Sequence, residues 1–241
     1  MANIILIRHG QSEWNAKNLF TGWVDAQLSS VGKKEAKLSG SLIKNLNIKF
    51  THGFTSFLAR ARDTLTIIKN TLDDDKIIIN AAWELNERHY GSLTGLNKLE
   101  TKQKLGEKVF NSYRRSWNIC PPPIELDNKH ILEFSKLNSS IPLEKVPLTE
   151  SLKDTFDRVI PFYKNKIFPQ IKLGRNVLIA AHGNSLRALC KHLLNISDKK
   201  INLLEIPTGN PLLIKLNSNL SKTLKVYYLD EIRKKKIFFN E

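Results

Sequence analysis

The chain has 241 residues, of which 41% are hydrophobic, and a formal net charge of +15. Its length allows one large domain or two small ones with a sizeable buried core. No apolar run is long enough for a membrane span, and Met1 leads into the first strand without the basic flank or cleavage site of a signal peptide. We therefore expect a cytoplasmic protein in which Cys120 and Cys190, which match no metal-ligand spacing, remain reduced.

The charge of +15 has two explanations. An anionic partner such as a nucleic acid, a phosphorylated metabolite or a membrane surface would account for it. The alternative is a drift of composition toward Lys, Asn and Ile, which occur along the whole chain. Because the lysines are dispersed and form no stripe with base-stacking aromatic residues, we favour drift together with a phosphate-binding site.

The first predicted element is a buried strand at the N-terminus. Ile4–Ile7 is a run of four apolar residues, mostly β-branched, which is typical of a strand covered on both faces. The run stops at Arg8 and His9, and Gly10 then allows a sharp turn. Arg8 and His9 are therefore expected at the carboxyl end of the strand, the edge where α/β sheets bind ligands.

The same pattern recurs late in the chain. The apolar run at 177–181 is followed by His182 and Gly183 and then by a helical segment. A single histidine is more often a surface residue or a satisfied core residue than a functional one. Two neighbouring strands that both end in His-Gly would, however, bring two histidines to one edge of the sheet.

The segments between these strands alternate helical and strand patterns. Residues 15–25 form a polar loop that can wrap a ligand. Pro161 should bend the helix predicted over 151–168. We predict helices over 30–46, 58–72, 101–119, 151–168, 184–194 and 199–204, and further strands over 51–56, 76–79, 212–216 and 224–229, with 76–79 buried.

The order of these elements predicts an α/β fold with a mostly parallel central sheet flanked by helices. Without repeats or linkers, 1–241 should form a single domain. Residues of about 120–150 have little periodicity and several prolines, so we expect an excursion over the surface. The tail, 230–241, carries four consecutive basic residues.

Two further segments carry candidate site residues. Arg60 lies in the first turn of its helix, where the helix dipole disfavours a cation unless an anion faces it, whereas Arg62 is interpreted as part of a solvated face. The loop-like stretch Trp83–Lys98 includes Glu87 among many functional side chains, and it is either a site or a solvated loop.

Together these residue types can transfer a phosphoryl group. A neutral imidazole can attack phosphorus and form a covalent intermediate, and a glutamate can protonate the leaving oxygen. Arginines bind phosphate in a bidentate way and stabilise charge on the transferring group. No HExxH motif, acidic ligand cluster, Walker loop or GxGxxG motif is present, so we expect a site without a metal ion.

The chain also resembles a known family in motifs that run in order along nearly its whole length. These are LIRHGQSEWN, FTGWVDAQLS, LNERHYGSLTGLNK, SYRRSW, PPP, TESLKDT and LIAAHGNSLR. They are similar to the cofactor-dependent phosphoglycerate mutases of the histidine phosphatase superfamily. RHG alone indicates the superfamily, whereas ERHYGSLTGLNK with the paired arginines is typical of the mutase branch. The segment 126–146 and the short, basic tail depart from the family pattern.

The resemblance implies a role for each matching residue. His9 would be the phosphorylated nucleophile and Glu87 the general acid and base. His182, Arg8 and Arg60 would complete the catalytic set around the phosphoryl group. The residues expected to bind the substrate are Asn15, Thr21, Gly22, Tyr90, Lys98, Arg114, Arg115, Gly183 and Asn184.

The family interconverts 3-phosphoglycerate and 2-phosphoglycerate and is primed by 2,3-bisphosphoglycerate, without a metal ion. Its members form dimers or tetramers, so the resemblance implies a homo-oligomer whose ligands are small phosphorylated three-carbon acids. One alternative is a bisphosphoglycerate synthase or a phosphatase of the same superfamily. Another is a basic nucleic-acid-binding protein that retains only the fold, which the set of His9, Glu87 and His182 disfavours because binding alone needs no nucleophile.

Overall fold

The computed structural model describes residues 2–128, 130, 141, 145–217, 219–220 and 223–239. One six-stranded sheet contains β1 (Ala2–Arg8), β2 (His52–Thr55), β3 (Ile78–Ala81), β4 (Val177–Ala181), β5 (Leu212–Leu216) and β6 (Thr223–Tyr228). The α-helices of the described residues are α1 (Glu13–Ala16), α2 (Ser30–Lys44), α3 (Ala59–Leu72), α4 (Lys98–Leu105), α5 (Glu107–Arg115), α6 (Leu152–Phe162), α7 (Phe168–Lys172), α8 (Gly183–Leu193) and α9 (Asp198–Ile201).

The strands lie in the order β3-β2-β4-β1-β5-β6. The first four pair in parallel, β5 is antiparallel to β1, and β6 is antiparallel to β5. The predicted α/β architecture with a mostly parallel sheet is therefore confirmed.

The central strands bury side chains on both faces of the sheet. Ile4 and Leu6 of β1 pack in the hydrophobic cluster that contains buried residues of α6 and α8. Ile5 and Ile7 point to the opposite face and join the cluster that contains residues of α2 and α3. Because side chains alternate along a strand, an uninterrupted apolar run is what a strand between two helical layers requires. Each such side chain stabilises the fold by about 1.5–3 kcal/mol.

The register of β1 and β4 brings the two His-Gly sequences together. Arg8 lies opposite Ala181, so the residues that follow, His9 and His182, lie side by side. The backbone N–H of His9 donates to the Ala181 carbonyl at 2.9 Å, which extends the pairing by one residue. The predicted meeting of two histidines at one sheet edge is confirmed.

The prediction of a buried strand at 76–79 is wrong in position and burial. The strand is Ile78–Ala81, and all four of its residues are exposed. It is the edge strand, paired only with β2, and Ile77 just before it supplies the buried side chain. An apolar run indicates a strand but does not show whether a neighbour covers it.

The predicted helix over 101–119 consists of two helices. α4 begins earlier than expected, because Asn97 caps it by accepting the N–H groups of Leu99 and Glu100. Gly106 separates α4 from α5 with φ +76°, a left-handed conformation that favours glycine. The paired arginines lie in the last turn of α5.

The helix predicted over 151–168 is irregular where expected. Ser151 caps α6, which includes Pro161 near its end and continues as a π-helical turn at Tyr163–Ile167. The predicted helices and strands at 30–46, 58–72, 184–194, 199–204, 212–216 and 224–229 are present with small shifts of their ends.

Of the excursion predicted at about 120–150, residues 129, 131–140 and 142–144 lie outside the described residues. In the tail, Arg233 bonds to Asp230 and donates to the carbonyls of Thr208 and Gly209. Ile237 and Phe238 pack against the larger hydrophobic cluster. The described part of the tail is thus attached to the domain.

Candidate active site

A cationic pocket opens at the carboxyl edge of the sheet. Its walls carry six cationic side chains and one carboxylate. The lining residues are Arg8, His9, Asn15, Leu19, Thr21, Gly22, Arg60, Glu87, Tyr90, Lys98, Arg114, Arg115, Gly183, Asn184 and Arg187. Such an excess of positive charge fits a ligand with more than one anionic group. We call His9, Arg60, Glu87 and His182 the inner site, and Lys98, Arg114 and Arg115 the outer cations.

His9 is held as a neutral imidazole with a defined tautomer. Its Nδ1 lies 2.7 Å from the Gly10 carbonyl, which can only accept, so the ring proton is on Nδ1. Nε2 then keeps its lone pair, and Arg60 Nε donates to it at 3.3 Å. Burial, followed by the positive charges of Arg60 and Arg8, holds the pKa of His9 well below its usual value of 6.5. His9 therefore presents an unprotonated nitrogen, as a nucleophile requires.

His182 lies behind His9 rather than on the pocket wall. The two ring centroids are 4.9 Å apart in an edge-to-face arrangement, and His182 is fully buried. Its Nε2 shares a 2.7 Å hydrogen bond with Ser56 Oγ, at the end of β2. Burial and the nearby charge of Arg60 lower the pKa of His182 well below 6.5. Both histidines are thus neutral at physiological pH.

Arg60 explains why a cation occurs in the first turn of a helix. Only 1% of its surface is exposed, whereas Arg62 is exposed as expected. Its Nη1 and Nη2 donate to the carbonyls of Val24 and Gly22 at 2.7 and 2.8 Å. The guanidinium therefore ties the 15–25 loop to the inner site and brings positive charge to His9.

Glu87 is fixed through one of its oxygens. Oε1 accepts the backbone N–H of Arg88 at 2.8 Å, the backbone N–H of Asn184 at 3.1 Å and the side-chain amide of Asn184 at 3.0 Å. These bonds leave Oε2, which lies near Gly183, as the oxygen available to a ligand. The Arg8 guanidinium also lies near Gly183. The amide of Asn184 also donates to Tyr90 Oη at 3.1 Å.

The loop and helix residues expected to bind the ligand point donors toward the pocket. Asn15 Oδ1 accepts the Ser12 N–H, so its Nδ2 donor is left for a ligand. Arg8 Nε, Thr21 Oγ1 and Arg115 Nη1 are buried polar atoms that find no hydrogen-bond partner among the described residues. Because buried donors are normally paired, these atoms fit a site built for an anionic ligand.

The outer cations lie on or next to the short helices α4 and α5. Lys98 donates to the Leu19 carbonyl at 2.7 Å, and burial with the charge of Arg114 lowers its pKa. Arg115 forms an ion pair with Glu205 at 3.2 Å. Glu205 also lies 3.9 Å from Lys235 of the tail. Among the described tail residues, none lines the pocket.

Every predicted site residue except His182 lines this pocket, and His182 contacts His9 behind it. Sequence reasoning did not include Leu19 and Arg187. Arg187 follows Asn184 by three residues on α8 and donates to its Oδ1 at 3.0 Å. The i, i+3 spacing places the two side chains on one face of the helix and could have indicated this contact.

No group of three His, Cys, Asp or Glu residues that could hold a metal ion occurs in the described ranges. Across the same ranges, no helix is both long enough and apolar enough to span a membrane.

Residues 4–226 match the family model of the histidine phosphatase superfamily, branch 1. The chain belongs to this superfamily. It is 50% identical over 235 residues to a 2,3-bisphosphoglycerate-dependent phosphoglycerate mutase of Pelagibacter ubique, with 98% of both chains covered. It is 46% identical over 230 residues to a phosphoglycerate mutase of Candida albicans, covering 95% of this chain and 93% of that protein.

Several solved structures share the fold at lower sequence identity. A mycobacterial glucosyl-3-phosphoglycerate phosphatase matches with a TM-score of 0.71 and 17% identity, covering 95% of this chain and 97% of that one. The α-ribazole phosphatase of Shigella flexneri matches with a TM-score of 0.64 and 19% identity, over 92% and 94% of the two chains. At these identities the likeness concerns the fold alone.

Proposed function

We propose that this histidine phosphatase superfamily member interconverts 3-phosphoglycerate and 2-phosphoglycerate, primed by 2,3-bisphosphoglycerate. The observation that carries the proposal is that one strongly cationic pocket is lined both by His9, a neutral imidazole with an unprotonated Nε2, and by the Glu87 side chain. The names of the mutases that are about half identical to this chain support it.

The inner site supplies the chemistry. The lone pair of His9 Nε2 forms a bond to phosphorus while the bond from phosphorus to the leaving oxygen breaks. The leaving oxygen takes a proton from Glu87, and in the return step an attacking hydroxyl gives its proton back to Glu87. Arg8 and Arg60 stabilise the charge on the phosphoryl oxygens. The phosphorylated His9 then donates to the free hydroxyl of a bound monophosphoglycerate, so that the N–P bond breaks as the new O–P bond forms and 2,3-bisphosphoglycerate results. His9 next takes the phosphoryl group from the oxygen of the other carbon, which leaves the isomer and a phosphorylated enzyme.

The remaining lining residues hold the three-carbon acid. Arg114, Arg115 and Lys98 offer charge to the carboxylate and to the phosphate that is not reacting. The pocket wall is completed by Asn15, Thr21, Gly22, Tyr90, Gly183 and Asn184. The priming bisphosphate supplies the phosphoryl group that His9 carries, and the unpaired donors of Arg8, Thr21 and Arg115 fit an anion of that kind.

A two-arm assay tests the proposal. The protein is mixed with 3-phosphoglycerate, with and without a catalytic amount of 2,3-bisphosphoglycerate, and formation of 2-phosphoglycerate and free phosphate is followed. We expect isomerisation that depends on the bisphosphate and exceeds phosphate release. Phosphate release without isomerisation would instead identify a phosphatase of the superfamily.

We also propose a homodimer that forms through the free edge of β3. Ile78 and Ile79 are 57% and 38% exposed, and neither proline nor a charge protects 77–82. An unprotected apolar edge strand is a template for pairing with another strand, and antiparallel pairing of two β3 strands gives two-fold symmetry. Light scattering should give the mass of a dimer, and Ile78→Lys should give a monomer. A monomeric wild-type protein would contradict this interface.

A role in glycolysis and gluconeogenesis implies a cytoplasmic enzyme. Fractionation of cells that express the protein should recover its activity with cytoplasmic markers, and recovery with the membrane or secreted fraction would contradict this location.

A further inference from the structure

The loop that carries Glu87 is fixed by a buried ion pair outside the pocket. Arg158 of α6 and Glu150 form two parallel bonds, from Nε to Oε1 at 2.6 Å and from Nη2 to Oε2 at 2.9 Å. Their side chains are only 9% and 4% exposed. Neither residue lines the pocket, so the pair has no direct part in ligand binding.

Arg158 uses its remaining donors on the backbone of this loop. Nη1 donates to the carbonyls of Glu84 and Asn86 at 2.6 and 3.0 Å, and Nη2 donates to the carbonyl of Glu87 at 3.0 Å. Since no backbone N–H of the described residues donates to these three carbonyls, the guanidinium supplies the hydrogen bonds that regular structure would provide.

Glu150 holds the loop on the other side of Glu87. Its Oε2 accepts the backbone N–H of His89 at 2.8 Å, and its own N–H donates to the His89 carbonyl at 3.0 Å. The backbone is therefore fixed immediately before and after the residue that bears the carboxylate. α6 also packs against α8, whose first turn supplies the Asn184 donors to Glu87 Oε1.

We propose that Glu150 and Arg158 are positioning residues that set the location of the Glu87 carboxylate for proton transfer. The inference rests on the proposed role of Glu87 as general acid and base. Proton transfer requires the acid within hydrogen-bond reach of the leaving oxygen, whereas attack by His9 depends on the β1–β4 pairing and on Arg60. Weakening the Glu150–Arg158 ion pair should therefore slow the steps that need a proton and leave the rate of the other steps unchanged.

Two phosphoryl donors distinguish the step that needs a proton from the step that does not. 2,3-Bisphosphoglycerate leaves behind an alkoxide-like oxygen that must be protonated, whereas 2,4-dinitrophenyl phosphate releases a stable phenolate that needs no proton. Rapid mixing measures the rate of His9 phosphorylation from each donor. The variants are Arg158→Lys, which keeps the charge but not the fork of donors, and Glu150→Gln, which keeps the shape but not the charge.

We expect both variants to lose about 10- to 100-fold in the rate with the bisphosphate, with KM within about threefold of wild type. Their rates with the aryl phosphate should stay within about threefold. The matched control is Lys153→Gln, which breaks the exposed Lys153–Asp157 ion pair on the same helix and should change neither rate.

Equal losses with both donors, no loss with either, or failure of both variants to fold would overturn the proposal, because each result assigns the pair a purely structural role. Glu87→Gln, measured in parallel, keeps the two proposals distinguishable. If Glu87→Gln does not lose selectively with the bisphosphate, the proposed role of Glu87 fails. If Glu87→Gln loses selectively and the pair variants do not, only the positioning proposal fails.

Discussion

The inner site and the outer cations are built in different ways. The two histidines directly follow strands, and Glu87 lies in a buried loop. Hydrogen bonds to buried backbone or side-chain atoms fix the orientation of His9, Glu87 and His182. The outer cations are half-buried on short helices. Lys98 bonds to a single carbonyl, and Arg115 to one half-exposed carboxylate. From this difference we propose that the inner site determines the rate of phosphoryl transfer and that the outer cations determine which anion binds.

The largest expected effect comes from removing the inner acid. Glu87→Gln keeps the acceptor at Oε1 but cannot transfer a proton, so kcat should fall about 10²- to 10⁴-fold while KM changes by less than about threefold. Steady-state kinetics in both directions measure this. Glu84→Gln, on the same loop but outside the pocket, is the matched control and should behave as wild type. An unchanged kcat would assign proton transfer to another group, with His182 the next candidate.

Substitution of an outer cation should affect binding instead. A hydrogen bond from a charged group contributes about 1.5–3 kcal/mol, so Arg114→Met or Lys98→Met should raise KM about 10- to 100-fold with kcat within about threefold. Lys102→Met, on α4 in an exposed ion pair with Glu107, is the control. A fall in kcat with unchanged KM would contradict the division of roles.

The two regions should also differ in their response to pH. Burial lowers the pKa of His9 and His182, and burial with the charge of Arg158 lowers the pKa of His89 to about 3. Below pH 6.5 these groups bind protons in the unfolded chain but not in the folded one, so stability should fall as pH decreases from 6.5 toward 3. The ordinary pKa values of Lys98 and Arg115, 10.5 and 12.5, lie far above this range, so these two outer cations add nothing to the pH dependence.

His89 can be tested alone, because it does not line the pocket. A neutral buried histidine costs about 2 kcal/mol of stability at pH 5. His89→Gln, which can still accept the Gly91 N–H, should reduce the difference in Tm between pH 7 and pH 5 by about 4–8 °C. An unchanged difference would mean that His89 is not held neutral.

The tail is expected to affect the site more weakly than substitution of an outer cation does. Lys235 of the tail lies near the Glu205 carboxylate, which also forms an ion pair with Arg115. Glu205 therefore connects the tail to a residue that lines the pocket. We predict that the tail limits access of water to the phosphorylated enzyme. Removing 234–241, with the Arg233 contacts retained, should lower mutase activity and raise hydrolysis of 2,3-bisphosphoglycerate relative to it. Normal melting with an unchanged ratio would exclude this role, and 126–146 would be the next segment to test.

The smallest expected effect is that of a chelator. Arginines occupy the places where other phosphoryl-transfer enzymes use divalent ions. Excess chelator should therefore leave both kcat and KM unchanged. Loss of activity that manganese or magnesium restores would contradict the proposed chemistry.

The sequence predicted the residues of the inner site better than the residues that hold them in position. Ile4–Ile7 and 177–181 are apolar because helices cover both faces of the sheet. That pattern, together with the His-Gly sequences that end it, is enough to predict where both histidines lie. By contrast, Arg158 and Glu150 occur in a helix and a loop whose local patterns carry no sign of a long-range ion pair. The exposure of β3 likewise depends on tertiary neighbours, which local propensity does not report. The break at Gly106 is instead a local feature that the glycine itself could have indicated.

The most direct measurement is the site of covalent phosphate. The protein is incubated with 2,3-bisphosphoglycerate, quenched, digested and mapped by mass spectrometry under conditions that preserve phosphohistidine, with His9→Ala in parallel. The account predicts an acid-labile, base-stable phosphate on His9 that forms as fast as the enzyme turns over and is absent from His9→Ala. Phosphate on a serine, or the same adduct in His9→Ala, would contradict it.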